Sequence, residues 1–217
     1  MSEEIPFSQV LRQATREGHD RAQESPYIVA LIAGDLSRAG YTALAAQHYF
    51  IYAAIESAAA AMRRDPVAGP FVVDTLHRVP ALTADLAALL GPDWQTRIQP
   101  TAATEAYRAR VAEVGHTSVG FVAHHYTRYL GDIAGGQVIR ARLRTQHGIT
   151  GAGAHFYDFD DLGPAPVFRD RYRRLLDTAP WTAEQRAAVI AESRLAFELN
   201  TAVFTDLADD LDKFLVA

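Results

Sequence analysis

Apolar residues recur at helical spacing along most of the chain, and few stretches alternate in the way that β-strands do. Proline, glycine and N-capping residues bound the periodic stretches, so the pattern predicts a series of α-helices. The predicted helices cover residues 7–23, 27–33, 37–64, 67–73, 75–90, 101–114, 117–147, 167–177 and 182 to about 211. The sequence contains no internal repeat and no linker. The simplest interpretation is one all-α, multi-helix domain over residues 1–217, with residues 1–5 and 212–217 flexible.

The composition narrows the classes of function. Hydrophobic residues make up 49% and charged residues 22% of the chain, which is typical of a globular protein, and the net charge of −5 gives no indication of nucleic-acid binding. The chain has no cysteine, which excludes disulfides, thiolate catalysis, iron–sulfur clusters and cysteine zinc sites. No apolar run approaches the roughly 20 residues of a membrane span. The acidic N-terminus is unlike a signal peptide, so we expect a cytoplasmic protein without a membrane anchor.

Three glycines, Gly131, Gly135 and Gly136, interrupt the predicted helix over residues 117–147. Each costs a helix interior roughly 1 kcal/mol relative to alanine, and together they favour a kink. Gly131 and Gly135 are four residues apart and share one face, on which a flat ligand or another backbone can lie directly. Asp132 beside this bare face favours a ligand, because a carboxylate is a poor choice for close helix packing. Both explanations remain open on the glycines alone.

A histidine and an arginine lie on one side of the first predicted helix. His19 follows Arg12 by seven residues, nearly two turns, which places them about 10 Å apart. This spacing suits a ligand with a central Lewis-acid atom and an anionic edge, as heme has. Arg169 and Arg173, one turn apart, and the hydroxyl of Tyr126 could join that edge. Taken singly, His19 is better explained as an ordinary surface or core histidine, and the arginines as a solvated basic face.

The segment 126–138 resembles the heme oxygenases, particularly the soluble bacterial ones. The similarity centres on Arg128-Tyr129-Leu130-Gly131-Asp132 followed by Gly135-Gly136-Gln137. It continues in chain order through residues 11–23, 50–56, 156–159, 167–175 and 196–207, and so spans nearly the whole chain.

The resemblance implies a role for each matching residue. His19 is implied as the proximal ligand of the heme iron, and Gly131, Gly135 and Gly136 as the kinked distal helix close over the heme. Asp132 is implied to hold a water network where O₂ reacts. The residues implied to share that network are Tyr52, Arg128 and Asn200. Those implied to face the propionates are Arg12, Tyr126, Arg169 and Arg173, and those implied to line the pocket wall are Phe197 and Phe204.

The reaction that the resemblance implies consumes O₂ and uses heme b as both substrate and cofactor. The expected products are biliverdin, ferrous iron and carbon monoxide, in the service of iron acquisition or pigment supply. Electrons would come from a separate ferredoxin or a flavodoxin-type reductase, because the chain has no nucleotide-binding glycine motif. We expect a monomer.

One position departs from the family pattern. Many relatives carry a glutamate four residues after the proximal histidine, where it accepts a hydrogen bond from the second ring nitrogen. That position is Gln23 here, and a neutral amide gives the imidazole less anionic character. The nearby carboxylates of Asp20 and Glu24 are each one residue away from it.

Three other functions are alternatives. A heme carrier or sensor without turnover needs His19 and the cations but has no use for Asp132. A thiamin-hydrolysing enzyme of similar helical architecture relies on a cysteine, which this chain lacks. A di-iron bundle needs two Glu-x-x-His motifs, and only residues 113–116 match.

Overall fold

The computed structural model describes residues 5–149 and 151–216. Within these ranges the regular elements are helical, which confirms the predicted all-α class. The α-helices are α1 Phe7–Gln23, α2 Pro26–Ala33, α3 Arg38–Met62, α4 Val79–Leu90, α5 Ala102–Val114, α6 Ser118–His125, α7 Gly131–His147, α8 Ala165–Thr178, α9 Ala183–Ala208 and α10 Leu211–Phe214. Short 3₁₀ turns lie at Gly69–Phe71, Asp74–Leu76, Trp94–Thr96, His155–Tyr157 and Asp160–Leu162.

Helices α3, α5, α6 and α9 begin at a serine or threonine whose side chain caps the first turn. The side chain of Ser37 accepts a hydrogen bond from the Gly40 N–H at the start of α3. Thr182 and Gln185 form a capping box at the start of α9. Two predicted segments were wrong: residues 67–73 and the start of 75–90 form 3₁₀ turns, and α4 begins only at Val79. Pro80 lies in the first turn of α4, where proline is tolerated because the missing N–H has no partner in the helix.

The predicted break in the helix over residues 117–147 lies elsewhere than expected. Tyr126–Leu130 is a π-helical segment, which separates α6 from α7. Gly131 follows it with φ −63° and ψ −51°, and the glycines lie within regular α-helix. The interruption therefore precedes the glycines instead of coinciding with them. A single π-helical turn inside a longer helix is frequent at functional sites.

Helix α9 occupies the centre of the molecule and packs against α1, α5 and α6. Helix α3 packs against α4, α5 and α6 from the other side. Between them lies a core rich in buried aromatic rings, including Tyr52, Tyr107 and Phe121. The loop after α7 is held under α4 because the carboxylate of Asp85 accepts three backbone hydrogen bonds, from Gly153, His155 and Phe156, at 2.8–2.9 Å.

The chain's C-terminal residues pair with the start of α3. The backbone N–H of Ser37 donates to Phe214 over 2.6 Å, and that of Val216 donates to Asp35 over 2.7 Å. None of the helices in the described ranges is long and apolar enough to cross a membrane.

Candidate active site

Helix α7 presents an uncovered apolar stripe. Gly131, Ala134, Gly135 and Val138 recur at helical spacing and are exposed, and Val138 keeps 51% of its surface in solvent. A Cβ atom placed on Gly131 or Gly135 would meet no other atom of the described residues within 4 Å. We call these four residues the open face. Because no helix of the described ranges packs on it, close packing against another helix does not explain its two glycines.

Gly136 lies on the opposite side of α7. A Cβ atom at this position would come within 2.6 Å of the Tyr157 ring, so glycine is needed there for packing. Gly136 therefore allows α7 to pack closely against the loop that follows it. Its geometry gives no support to the prediction that it contacts the ligand.

A buried polar network adjoins the open face. The carboxylate of Asp132 accepts hydrogen bonds from the Tyr52 phenol and, at 3.2 Å, from the Arg128 guanidinium. Arg128 also donates to the amide oxygen of Asn200. We call these four residues the Asp132 network. They come from α3, the π-helical segment, α7 and α9, and the structure brings together all four that the sequence assigned to one network.

Burial governs the electrostatics of this network. It raises the pKa of Asp132, although Arg128 and the Tyr52 hydrogen bond act in the opposite direction. Burial and the nearby Asp132 carboxylate raise the pKa of Tyr52, which keeps its phenol protonated as a donor. The pKa of Arg128 is raised by Asp132 and by neighbouring tyrosines, so the guanidinium stays charged. A carboxyl group with a raised pKa at the edge of an open face can hold and release a proton.

His19 lies on α1, with 46% of its side chain exposed. Its ring stands edge-on to that of Phe197, with centroids 6.1 Å apart. A Cβ on Gly18 would lie 2.9 Å from Phe197, so α1 and α9 approach closely here. The Nδ1 atom lies 3.2 Å from the Asp20 carboxylate, which leaves Nε2 as the nitrogen available to a metal. Asp20, and not Gln23, is thus the residue next to the second ring nitrogen.

Three of the four predicted anion-binding residues, Arg12, Tyr126 and Arg173, lie in one region beside α1. The Tyr126 hydroxyl interacts with the buried Thr15 side chain and, electrostatically, with Arg12 and Arg173. Burial raises the pKa of Tyr126, so it remains a neutral donor. Arg169 has a buried Nε atom without a hydrogen-bond partner among the described residues.

The remaining pocket residue is Phe204, which lies one turn after Asn200 on α9 and is 7% exposed as part of the core. Sequence reasoning missed a second polar cluster, formed by Tyr107, Arg110, His124 and Glu192. Its partners are up to 82 residues apart and belong to three helices, so no local pattern indicates it.

The comparisons agree on one family. A family model described as heme oxygenase matches residues 5–206. The heme oxygenase of Porphyra purpurea is 35% identical over 207 residues, which cover 94% of this chain and 88% of that protein. Heme oxygenase 1 of Bos taurus is 36% identical over 93% of this chain and 71% of its own length.

Solved structures give the same result. Heme oxygenase-1 of the cyanobacterium Synechocystis, in complex with heme, superposes with a TM-score of 0.90 at 28% identity and covers 96% of this chain and 95% of its own. Heme oxygenase-2 of Synechocystis, with heme and NO, gives a TM-score of 0.91 at 30% identity, covering 96% and 88%. A TenA homologue from P. horikoshii, at 13% identity and a TM-score of 0.70, shares the fold alone.

Proposed function

The chain belongs to the heme oxygenase family and degrades heme, and we propose that it opens the macrocycle with O₂ to give biliverdin, ferrous iron and carbon monoxide. The observation that carries this proposal is the position of Asp132. A buried carboxyl group with a raised pKa, held by Tyr52 and Arg128, stands at the edge of a helix face that nothing covers.

The residues present fit a heme group. The open face offers a flat apolar surface on which a planar ring can lie close to the backbone. His19 offers Nε2 to the iron. The propionates would be held by Arg12, Tyr126 and Arg173, and by Arg169 as the resemblance implies.

When bound, heme supplies both the iron that activates O₂ and the carbon framework that is cleaved. Asp20 would accept the hydrogen bond of Nδ1 and so orient the His19 ring. Gly131 and Gly135 would let α7 approach the macrocycle, and the resulting narrow space would restrict how O₂ can lie.

Proton supply is the task of the Asp132 network. Asp132 would hold a proton at a carboxyl oxygen and pass it to the O₂ side through water. Tyr52 and Arg128 fix the carboxyl group by hydrogen bonds, and Asn200 fixes Arg128. A preorganised network of this kind loses little energy to reorganisation during reaction.

A carrier or sensor is the alternative function. It would need the histidine and the cations, but it would not need a buried acid beside the ligand. Incubation of the protein with hemin and ascorbate separates the two, since a carrier leaves the heme spectrum intact while the enzyme yields biliverdin.

We further propose that the electrons come from a separate ferredoxin or flavodoxin-type reductase, and that the protein acts as a cytoplasmic monomer. The chain carries no nucleotide-binding glycine motif of its own. Turnover with ferredoxin and its reductase, against turnover with ascorbate alone, tests the first point, and sedimentation tests the oligomeric state.

A further inference from the structure

A pair of hydrogen bonds joins the start of α1 to the end of α8. The carboxylate of Asp177 accepts from the Ser8 backbone N–H over 2.7 Å and from the Ser8 hydroxyl over 3.0 Å, one bond on each oxygen. Ser8 is the second residue of α1, where the backbone N–H has no partner within the helix. Pro6 precedes α1 and gives it no side-chain cap, so Asp177 caps α1 from another helix. We call this contact the α1–α8 pin.

The pin lies on the faces of α1 and α8 that carry predicted anion-binding residues. On α1, Arg12 follows Ser8 by four residues, so the two share one face. On α8, Arg173 precedes Asp177 by four residues and Arg169 precedes it by eight, again on one face. Four residues advance a helix by about 6 Å. Arg12 and Arg173 therefore lie at the same distance along their helices from the pin.

The position of Tyr126 shows that the two faces meet. Its phenol interacts electrostatically with Arg12 on α1 and with Arg173 on α8. Two guanidinium groups therefore lie near one hydroxyl, and like charges at short range repel each other. The Arg173 guanidinium donates to Asp170 over 2.7 Å, but Asp170 lies on α8 itself and does not tie that helix to α1. The pin joins the two helices against this repulsion.

We propose that the α1–α8 pin holds Arg12 and Arg173 together before any ligand binds, as a preorganised site for the carboxylates of a porphyrin. Asp177 is then a positioning residue, which acts through the two arginines and does not touch the ligand. The inference rests on the proposed function, which supplies heme as the ligand. Without the pin, the arginines would have to be ordered during binding, and immobilising each such side chain weakens binding several-fold.

Recognition of the carboxylates can be measured separately from the iron. Protoporphyrin IX without metal carries the same two propionates as heme, and its fluorescence reports binding without turnover. Its dimethyl ester has the same ring without the negative charges. With both ligands delivered from the same dilute detergent, the wild-type protein should bind the diacid about tenfold or more tightly than the diester, because the charge-assisted hydrogen bonds to arginine are lost with the charge.

Variants of the pin should reduce this preference for the diacid. In Asp177→Ala, diacid binding should weaken about fivefold while diester binding stays within about twofold, because only the diacid uses the arginines. Asp177→Asn keeps an oxygen that accepts from Ser8 and should restore most of the preference. Ser8→Ala keeps the backbone N–H and loses the hydroxyl, so it should show a smaller loss in the same direction. This milder variant keeps the test decisive if Asp177→Ala folds poorly.

The matched control removes a cap from a helix away from this region. The Thr101 side chain accepts a hydrogen bond from the Thr104 N–H at the start of α5, a helix that packs against α3, α6 and α9. Thr101→Ala should lower the thermal midpoint as Asp177→Ala does, because each variant leaves a helix end without its cap. It should keep the wild-type preference for the diacid.

A distance measurement on the ligand-free protein tests the pin itself. The sequence has no cysteine, so spin labels can be attached after Glu17→Cys on α1 and Arg171→Cys on α8, both at exposed positions. The distance distribution between the labels should be narrow with Asp177 in place and broader in Asp177→Ala. Addition of the diacid should narrow the second distribution again, because its carboxylates draw Arg12 and Arg173 together.

The outcomes separate the inference from the proposed function. If Asp177→Ala weakens the binding of both ligands by the same factor, or changes neither, the contact is merely a helix cap and the inference is wrong. A distance distribution that is the same with and without Asp177 would also overturn it. If the wild-type protein binds hemin but makes no biliverdin, the proposed function fails, while the preference for the diacid still decides whether Asp177 positions the arginines.

Discussion

The phenol of Tyr52 on α3 donates a hydrogen bond to the carboxylate of Asp132 on α7, across 80 residues of sequence. The same carboxylate accepts from Arg128, one turn earlier. Tyr52 is fully buried, whereas 17% of the Asp132 side chain is exposed. The acid is thus fixed from inside the bundle and keeps part of its surface exposed, next to Gly131 on α7.

Replacement of this acid tests its role in proton supply. Asp132→Asn should still bind heme, because the anion-binding residues and His19 lie elsewhere, but it should lose roughly 10²-fold or more in biliverdin formation. The measurement is the biliverdin yield per heme, with the heme dissociation constant as control. A wild-type yield in the variant would refute the proton-supply role.

Replacing either glycine of the open face with alanine should stabilise the protein and impair its function. Gly131→Ala and Gly135→Ala should each raise the free energy of unfolding of the heme-free protein by roughly 1 kcal/mol, because alanine is the better helix former and the added Cβ meets nothing. The same substitutions should weaken heme binding or slow turnover. Urea unfolding and hemin titration measure the two effects.

Gly136→Ala is the matched control on the same helix. Its Cβ would lie 2.6 Å from the Tyr157 ring, so this variant should lower the free energy of unfolding instead of raising it. Equal behaviour of all three glycine variants would contradict the assignment of an open face.

The iron ligand can be tested by spectroscopy. His19→Ala should change the visible spectrum of the heme complex and abolish most turnover, and added imidazole should restore the spectrum by filling the space of the lost side chain. His116→Ala, at an exposed position between α5 and α6, is the control. An unchanged spectrum in His19→Ala would remove the ligand assignment.

The Glu192 cluster predicts how stability depends on acid. Folding lowers the pKa of Glu192 from 4.5 to about 2. The ionised carboxylate therefore contributes about 3 kcal/mol to the free energy of unfolding above pH 4.5, and this contribution is lost as the pH falls toward 2. Glu192→Gln should therefore destabilise the protein at neutral pH and flatten its acid unfolding in that range. Urea unfolding midpoints at several pH values measure this dependence of stability on pH. A Glu192→Gln variant as sensitive to acid as the wild-type protein would contradict the lowered pKa of Glu192.

Local sequence features were enough to predict most of the fold and part of the site. The apolar period and the caps at Ser37 and Thr182 predicted the long helices, since these are interactions between near neighbours. Gly131 and Gly135, which destabilise a helix interior, correctly indicated an uncovered face beside Asp132. The π-helical segment escaped prediction because one wider turn shifts the apolar pattern only slightly, and helical spacing over a few residues does not distinguish the two.

What the sequence could not predict depends on contacts between distant segments. His124 forms a hydrogen bond with Glu192, which lies 68 residues later on α9, a helix that packs against α6. Spacing along the sequence does not indicate such a pair. Gly136 looked equivalent to Gly135, but one position along the helix turns it toward Tyr157. The carboxylate beside the His19 ring is Asp20, because the side-chain rotamer, and not the spacing alone, decides which neighbour reaches Nδ1.

The most direct measurement adds one equivalent of hemin to the purified protein, then ascorbate or a ferredoxin system in air, and follows the visible spectrum. We predict a heme complex whose Soret band disappears while biliverdin accumulates and carbon monoxide is released. A Soret band that persists through prolonged reduction in air, without biliverdin, would contradict it and leave a heme-binding protein without turnover.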